Sequence, residues 1–436
     1  MRQAPSRRSL PRLDSAPRSS HPAVMVRPGD PHPGEIRSEL VIVGGGLIGL
    51  SLAAACAGVG LDVTVIDRED PARTVGEAFD GRTSAIAFGS QRILAGIGLW
   101  PEIAGEAEPI REIRVADGDS PRFLHYDHGE LGDAPLGYIV ENRVLRRALL
   151  ARIRALPNLR HVAPQAAAAA ERRPAGVTVR LADGGSVRAA LLAAADGGAS
   201  ALRHAAAIPT VEWRYQQTAI VCTVWHERPH LGIAVEHFLP AGPFAILPMT
   251  GDRSSIVWTE NAALAPRLLA LDAAGFHAEL ARRFGDFLGR IEVVGPRWSY
   301  PLALMHAARY GAERLVLVGD AAHVIHPIAG QGLNLGLRDV AVLAELIVDQ
   351  RRLGLDIGNP ELLARYERWR RFDNLALAAV TDGLNRLFSN TIPPLAWLRT
   401  TGLAAVNQLP PLRRFFMQHA MGLVGTLPRL ARGEPL

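Results

Sequence analysis

The sequence predicts an α/β fold in three parts: a domain of parallel strands and helices, an antiparallel sheet inserted into it, and a helical C-terminal region. Three observations carry that prediction. The apolar run Leu40–Val43 leads into glycines at 44, 46 and 49, and a second strand follows at residues 62–67 (DVTVID), which together make a βαβ unit. Residues 213–258 are rich in Val, Ile, Trp and Phe with Pro and Gly breaks, as antiparallel strands are. Residues 333–350 and 359 to about 388 have helical spacing, the second run placing Pro360 at the favoured first helical position.

The elements follow in chain order. Residues 1–37, rich in Pro, Arg, Ser and His, bury too little apolar surface to offset ordering and are expected to be a disordered tail. Residues 40–61 run without a charge for 22 positions, long enough to span a membrane on length alone. The three glycines divide that run instead into strand, tight turn and helix. Residues 111–126 alternate as strands do, 142–155 have helical spacing, and 176–195 read as a hairpin followed by a buried strand. A short helix is expected at 200–206 and another buried strand at 315–318. The alanines at 166–170 carry no signal. The expected boundaries place the parallel-sheet, Rossmann-like domain at 38–110, 138–206 and 300–352. The inserted sheet takes 111–137 and 207–299, and the C-terminal region 353–436.

At 436 residues, 48% apolar and 21% charged, the chain is an ordinary globular protein of two or three domains. Two cysteines, Cys56 and Cys222, cannot build a disulfide framework or a four-ligand zinc site, which speaks against secreted-scaffold and zinc-finger readings and fits a reducing compartment. The net charge of +5 invites a nucleic-acid reading, but its distribution speaks against one. Residues 1–37 hold seven Arg against three acids and residues 387–436 five Arg against one, which leaves the body of the chain acidic. No nucleic-acid partner is predicted.

Two constellations carry chemistry. In the first, Gly44 permits a tight turn, Gly46 lets backbone N–H groups approach a pyrophosphate, and Gly49 lets the helix pack closely on its strand. Asp67, at the end of the second strand, can accept hydrogen bonds from both hydroxyls of an adenosine ribose, which favours FAD or NAD over NADP. In the second, the 315–318 strand delivers Gly319-Asp320 at its carboxyl end, and a glycine-rich stretch then opens a helix whose N–H groups can hold an anion. His323 and His326 lack supporting ligands in sequence, and no metal site is predicted.

The stretch 326–339 (HPIAGQGLNLGLRD) resembles the signature of the ubiquinone-biosynthesis flavin hydroxylases, which have the p-hydroxybenzoate hydroxylase fold. The 44–49 glycines, the run 195–200 (ADGGAS) with Arg203, and Gly319-Asp320 agree with it, and the resemblance covers residues 38–390. Residues 300–310 (YPLALMHAARY) and 81–88 (GRTSAIAF) look most like the branch that hydroxylates 2-polyprenyl-6-methoxyphenol. The resemblance implies FAD held by Gly44, Gly46, Gly49, Asp67, Arg82, Asn142, Arg143, Asp196, Gly197, Gly319, Asp320, Gly330, Gln331, Gly332, Leu333 and Asn334. It places His326 and Pro327 on a flavin-facing loop. One dinucleotide unit implies that NAD(P)H visits transiently. The implied reaction is reduction of FAD, capture of O₂ as a C4a-hydroperoxide, and attack by an electron-rich phenol.

Phe238, Phe244, Leu247, Pro248 and Trp258 are candidates for the substrate face, and core packing accounts for them equally. His237, Tyr300 and His306 are candidates for a base. A polyprenylphenol lives in the bilayer, so the basic, aromatic segment 387–436, with Trp397, Phe415 and Phe416, suggests peripheral attachment at the inner face of the cell membrane from the cytoplasm. A dimer or domain contact is the alternative use of that segment, and a homo-oligomer or a ubiquinone-biosynthesis complex is the assembly considered for the protein. The competing functions are hydroxylation of another ring position and a non-catalytic, FAD-stabilised subunit.

Overall fold

The computed structural model describes residues 35–76, 81–118, 123–389, 399, 402 and 406–436. Most of the expected tail, residues 1–34, lies outside them, as does Trp397. Glu35–Arg37, expected to belong to the tail, instead forms a strand that pairs in parallel with Ser186–Ala189.

A six-stranded sheet forms the first layer, in the order Gly311–Ala312, Leu315–Leu317, Leu191–Ala194, Leu40–Val43, Val63–Ile66, Leu159–Val162. All its pairings are parallel except that of the first, edge strand. Its three central strands read LLAA, LVIV and VTVI and are buried at every position, because helices cover both faces. The helix Leu47–Ala57 is apolar all round for the same reason: it is wedged between the sheet and the long helix Gln331–Arg352. Gly336 makes the approach possible, since a Cβ there would stand 2.8 Å from Ile48 Cγ1.

The inserted sheet has eight strands, in the order His323–Val324, Ile291–Ala307, Thr210–His226, Arg253–Asn261, Gly242–Met249, Ile233–Leu239, Glu112–Asp117, Phe123–Asp127. One face of it turns toward the parallel-sheet domain. The other is covered by Ala265–Leu269 and Ala273–Phe284, which build a second core of Phe244, Trp258, Phe276 and Phe284. All but the first of the alanines at 166–170 lie in the strand Ala167–Arg173 of a separate four-stranded sheet, where pairing with Gly176–Leu181 overrides weak β propensity. Helices Pro360–Phe388 and Pro410–Ala420 close the C-terminal region, the first capped by Asn359 Oδ1 accepting from Glu361 N–H at 2.8 Å. Among the described residues, no helix is long and apolar enough to cross a membrane.

Candidate active site

The glycine turn is built by close backbone approach. Gly44 has φ +111°, and a Cβ at Gly44 or Gly49 would overlap a carbonyl oxygen, of Ala195 and of Gly44 respectively. Gly46 differs: a Cβ there would meet nothing within 4 Å. It caps the helix Leu47–Ala57 with no side-chain acceptor, and Gly46, Leu47 and Ile48 open onto a cavity of ≈ 570 Å³. Asp67 stands against Gly45, beside this turn but outside the cavity lining, and partial burial raises its carboxyl above the ordinary range.

The facing wall comes from residues far along the chain. Arg82 lines the cavity with its guanidinium 4.9 Å from the centre of the Tyr300 ring. Asp320 lines it too; burial raises its carboxyl, against the opposing pull of His323 and Arg82. Gly197, Gly330, Gln331, Gly332, Leu333 and Asn334 complete that wall. Gly330 takes the left-handed conformation at φ +61°, and Gly332 leaves open space where a Cβ would stand. Asn334 is a clamp: Nδ2 donates to Ala85 O at 2.8 Å and to Gly330 O at 3.1 Å, while Oδ1 accepts from Ala87 N–H at 2.9 Å. It holds the start of the long helix to the strand Thr83–Ala87.

Several expected positions turn away. Asn142 lines the cavity and accepts from Ser84 Oγ at 2.6 Å, but Arg143 lies round the helix and pairs with Glu141. The cavity-facing arginine is Arg146, four residues after Asn142 and therefore on the same helix face. Asp196 also leaves the cavity lining: its Oδ2 accepts from Leu202 N–H at 3.3 Å, at the start of the short helix Ala201–Ala205. Arg203, 2% exposed, donates to Ala321 O at 2.9 Å and to Gly198 O at 2.8 Å, tying the two glycine loops together.

His326 is fully buried on the side away from the cavity, with Nε2 3.3 Å from Gln217 Oε1 and its ring edge-on to Tyr215. Burial lowers its pKa to about 4. Its neighbours Val324, Ile325, Pro327 and Ile328 line the cavity, so His326 alone of this short segment turns to the other side. His323 donates to Asp339, and among the described residues no three His, Cys, Asp or Glu gather as metal ligands.

Strand alternation sorts the candidates for the substrate face by whether they line the cavity. Pro243, Ala245 and Leu247 look into the cavity, so Phe244 and Pro248 look the other way. Trp258 pairs across strands with Phe244 and joins it in the core under the outer helices. Phe238 stacks on Phe388 at 4.0 Å and packs on Ile328, behind the cavity wall. Of the five candidates only Leu247 is a lining residue. Of the base candidates, only Tyr300 lines the cavity. His306 is held by the Tyr310 hydroxyl at 2.9 Å, and burial lowers its pKa to about 4.

Beneath the Gly319-Asp320 turn lies a buried network that the motifs did not reveal. Asp339 Oδ2 accepts from His323 Nε2 at 2.6 Å and from Gly319 N–H at 3.1 Å, and Oδ1 accepts from Arg370 Nε at 2.8 Å. Arg370 Nη2 donates to Asn374 Oδ1 at 2.7 Å, and Asn374 Nδ2 donates to the Tyr310 hydroxyl at 3.1 Å. Although burial opposes it, the adjacent His323 and Arg370 hold the Asp339 carboxyl down at about 2.

The sequence comparisons agree with this geometry. Residues 37–377 match the family model described as an FAD binding domain. The chain is 56% identical over 402 residues to the ubiquinone hydroxylase UbiL of Rhodospirillum rubrum, covering 92% of this chain and 94% of that protein. It is 35% identical over 388 residues to the 3-demethoxyubiquinol 3-hydroxylase of Escherichia coli, covering 88% and 99%. The crystal structure of p-nitrophenol 4-monooxygenase PnpA from Pseudomonas putida matches with TM-score 0.76 at 20% identity, over 90% of this chain and 99% of that one, and shares the fold.

Proposed function

The chain belongs to the FAD-dependent hydroxylases of ubiquinone biosynthesis, a family of flavoprotein monooxygenases, and on that premise we propose that it hydroxylates a polyprenylated phenol, 2-polyprenyl-6-methoxyphenol. The observation that carries the proposal is a single chamber with two kinds of wall. One is made of glycine turns and a helix start, the other of small apolar residues including Ala219, Val221, Ala245 and Val257. The 300–310 segment that resembles this branch contributes Tyr300, Pro301, Leu302 and Ala303 to the lining.

The residues present fit FAD. The open positions at Gly46 and Gly332 leave room for a bound group against bare backbone, and the acid at Asp67 suits a ribose with both hydroxyls free. FAD, reduced by NAD(P)H, supplies activated oxygen from O₂. In this reading Gly44, Gly46 and Gly49 shape the pyrophosphate cradle. Arg82 and Asp320 flank the ring-bearing half, with the N–H groups from Gly330 to Asn334 offering positive potential to a reduced ring. The apolar wall excludes water from the reacting atoms.

The proposed location is peripheral, at the inner face of the cell membrane. In its support, Leu409, Leu412, Phe415 and Phe416 are exposed on or beside the helix Pro410–Ala420, and Ala420 lines the cavity. The test of function is turnover of a short-chain 2-prenyl-6-methoxyphenol by the yellow holoenzyme, with NAD(P)H oxidation and product mass followed together. Substrate-stimulated oxidation with one oxygen added to the ring supports the reading. Turnover of a 3-demethoxyubiquinol analogue in its place moves the reaction to another ring position.

A further inference from the structure

Glu236 lies on the strand Ile233–Leu239, whose residues 234 and 236 face the cavity. Directly across the sheet from it stand Ala245, then Val257, then Val221, all lining residues, and on its other side stands Val115, so Glu236 lies within a row of small and branched apolar side chains. Its carboxylate makes no hydrogen bond or ion pair with any described residue. The other ionisable groups lining the cavity are Arg82, Arg146, Tyr300 and Asp320, and none of their charges enters the shift at Glu236. His237, next in sequence, belongs to the opposite face of the strand. Burial alone pushes the Glu236 carboxyl up to about 7.

An acid in an apolar wall costs stability unless a ligand completes it. Here the ligand of the proposed reaction carries the matching group. Building on the proposed phenol hydroxylation, the structure assigns Glu236 as the residue that accepts the ring hydroxyl of the substrate and takes its proton. The phenol O–H bond breaks, the proton passes to a Glu236 carboxylate oxygen, and the electron pair left on the phenol oxygen raises electron density at the ortho and para carbons. O₂ and NAD(P)H, which the family's reaction already consumes, supply the transferred oxygen and the electrons. The proton leaves Glu236 when product is released.

The test compares wild type, Glu236→Gln and Glu236→Leu as holoenzymes. Equilibrium binding of short-chain 2-prenyl-6-methoxyphenol is read from the flavin absorbance change between about pH 5 and about pH 9, and hydroxylated product is measured in parallel. In wild type, affinity rises with pH through the ionisation near 7. In Glu236→Gln that dependence disappears, affinity above the transition falls about ten- to hundredfold, as for a lost charge-assisted hydrogen bond, and kcat falls at least roughly a hundredfold. Glu236→Leu retains FAD, which shows an intact fold, and reproduces the loss. A Gln variant with the wild-type pH profile and kcat overturns the assignment. Wild type that binds the phenol with this pH dependence but forms no hydroxylated product overturns the functional proposal and leaves Glu236 as the phenol's acceptor.

Discussion

Replacing Asp339 with alanine tests whether the buried network holds the Gly319-Asp320 turn. Asp339 and Arg370 are 0% and 1% exposed, so the substitution leaves a guanidinium in the core without its principal counter-ion. It also leaves the Gly319 and His323 N–H groups without their acceptor. Breaking one side of a buried ion pair costs about 3–5 kcal/mol, because the remaining charge stays desolvated. In a protein of this size the thermal midpoint should fall on the order of 10 °C, and flavin content should fall with it. The double variant Asp339→Ala/Arg370→Met removes the stranded charge and should recover about 1–3 kcal/mol relative to Asp339→Ala. The acid limb gives an independent check. The carboxyl is held near 2 against an ordinary 3.8, so its stabilisation is present above about pH 4 and is lost as pH falls through 2. The amount at stake is about 2 kcal/mol, and Asp339→Asn should lack that part of the pH dependence. Melting curves and denaturant midpoints measure all of this. An Asp339→Ala protein that melts with wild type, or a double variant no more stable than the single, refutes the reasoning.

Four further outcomes are expected. Gly46→Val and Gly332→Val should fold but lose absorbance near 450 nm, since their side chains project into open space, whereas Gly49→Ala should not fold, because its Cβ meets the Gly44 carbonyl; circular dichroism separates the cases. Arg146→Ala should weaken FAD retention measured by dialysis, while Arg143→Ala, which removes the part-exposed pair with Glu141, should leave the flavin bound. Trp258→Ala should cost about 3–5 kcal/mol in denaturant unfolding without altering the KM for the phenol, and Leu247→Ala the reverse, a raised KM. Phe415→Ser/Phe416→Ser should lower sedimentation with anionic liposomes at unchanged turnover of a short-chain phenol.

What the sequence disclosed and what it withheld divide along the range of the physics. The 44–49 glycine turn was legible because its requirement is local: a backbone reversal that a Cβ would block within a few residues of itself. Asn142 was legible by position, but the choice between Arg143 and Arg146 needed the helix's facing, which Asn142 alone fixes once it is known to point inward. The face of residues 242–249 was open to either reading, since both sides are apolar. Only the helices at 265–284, covering one side, assign Phe244 and Trp258 to a core and Leu247 to the cavity. Glu236 sat in plain view at the end of the apolar run Ile233–Val235, and that was its signal: an acid on the same strand face as Ala234. Asp339 belonged to a recognisable motif, yet its purpose depends on Arg370, 31 residues later on another helix.

That long reach has a consequence for how the protein is made. The glycine turn is made early in chain order, but its strand Leu40–Val43 waits for Leu191–Ala194 to pair on one side, and that strand in turn waits for Leu315–Leu317. The turn after Leu315–Leu317 is pinned through Asp339 to Arg370 and Asn374. A nascent chain therefore carries the recognisable motif long before it carries a complete chamber, whose Gly319-Asp320 turn lacks its supports until Arg370 and Asn374 have been made.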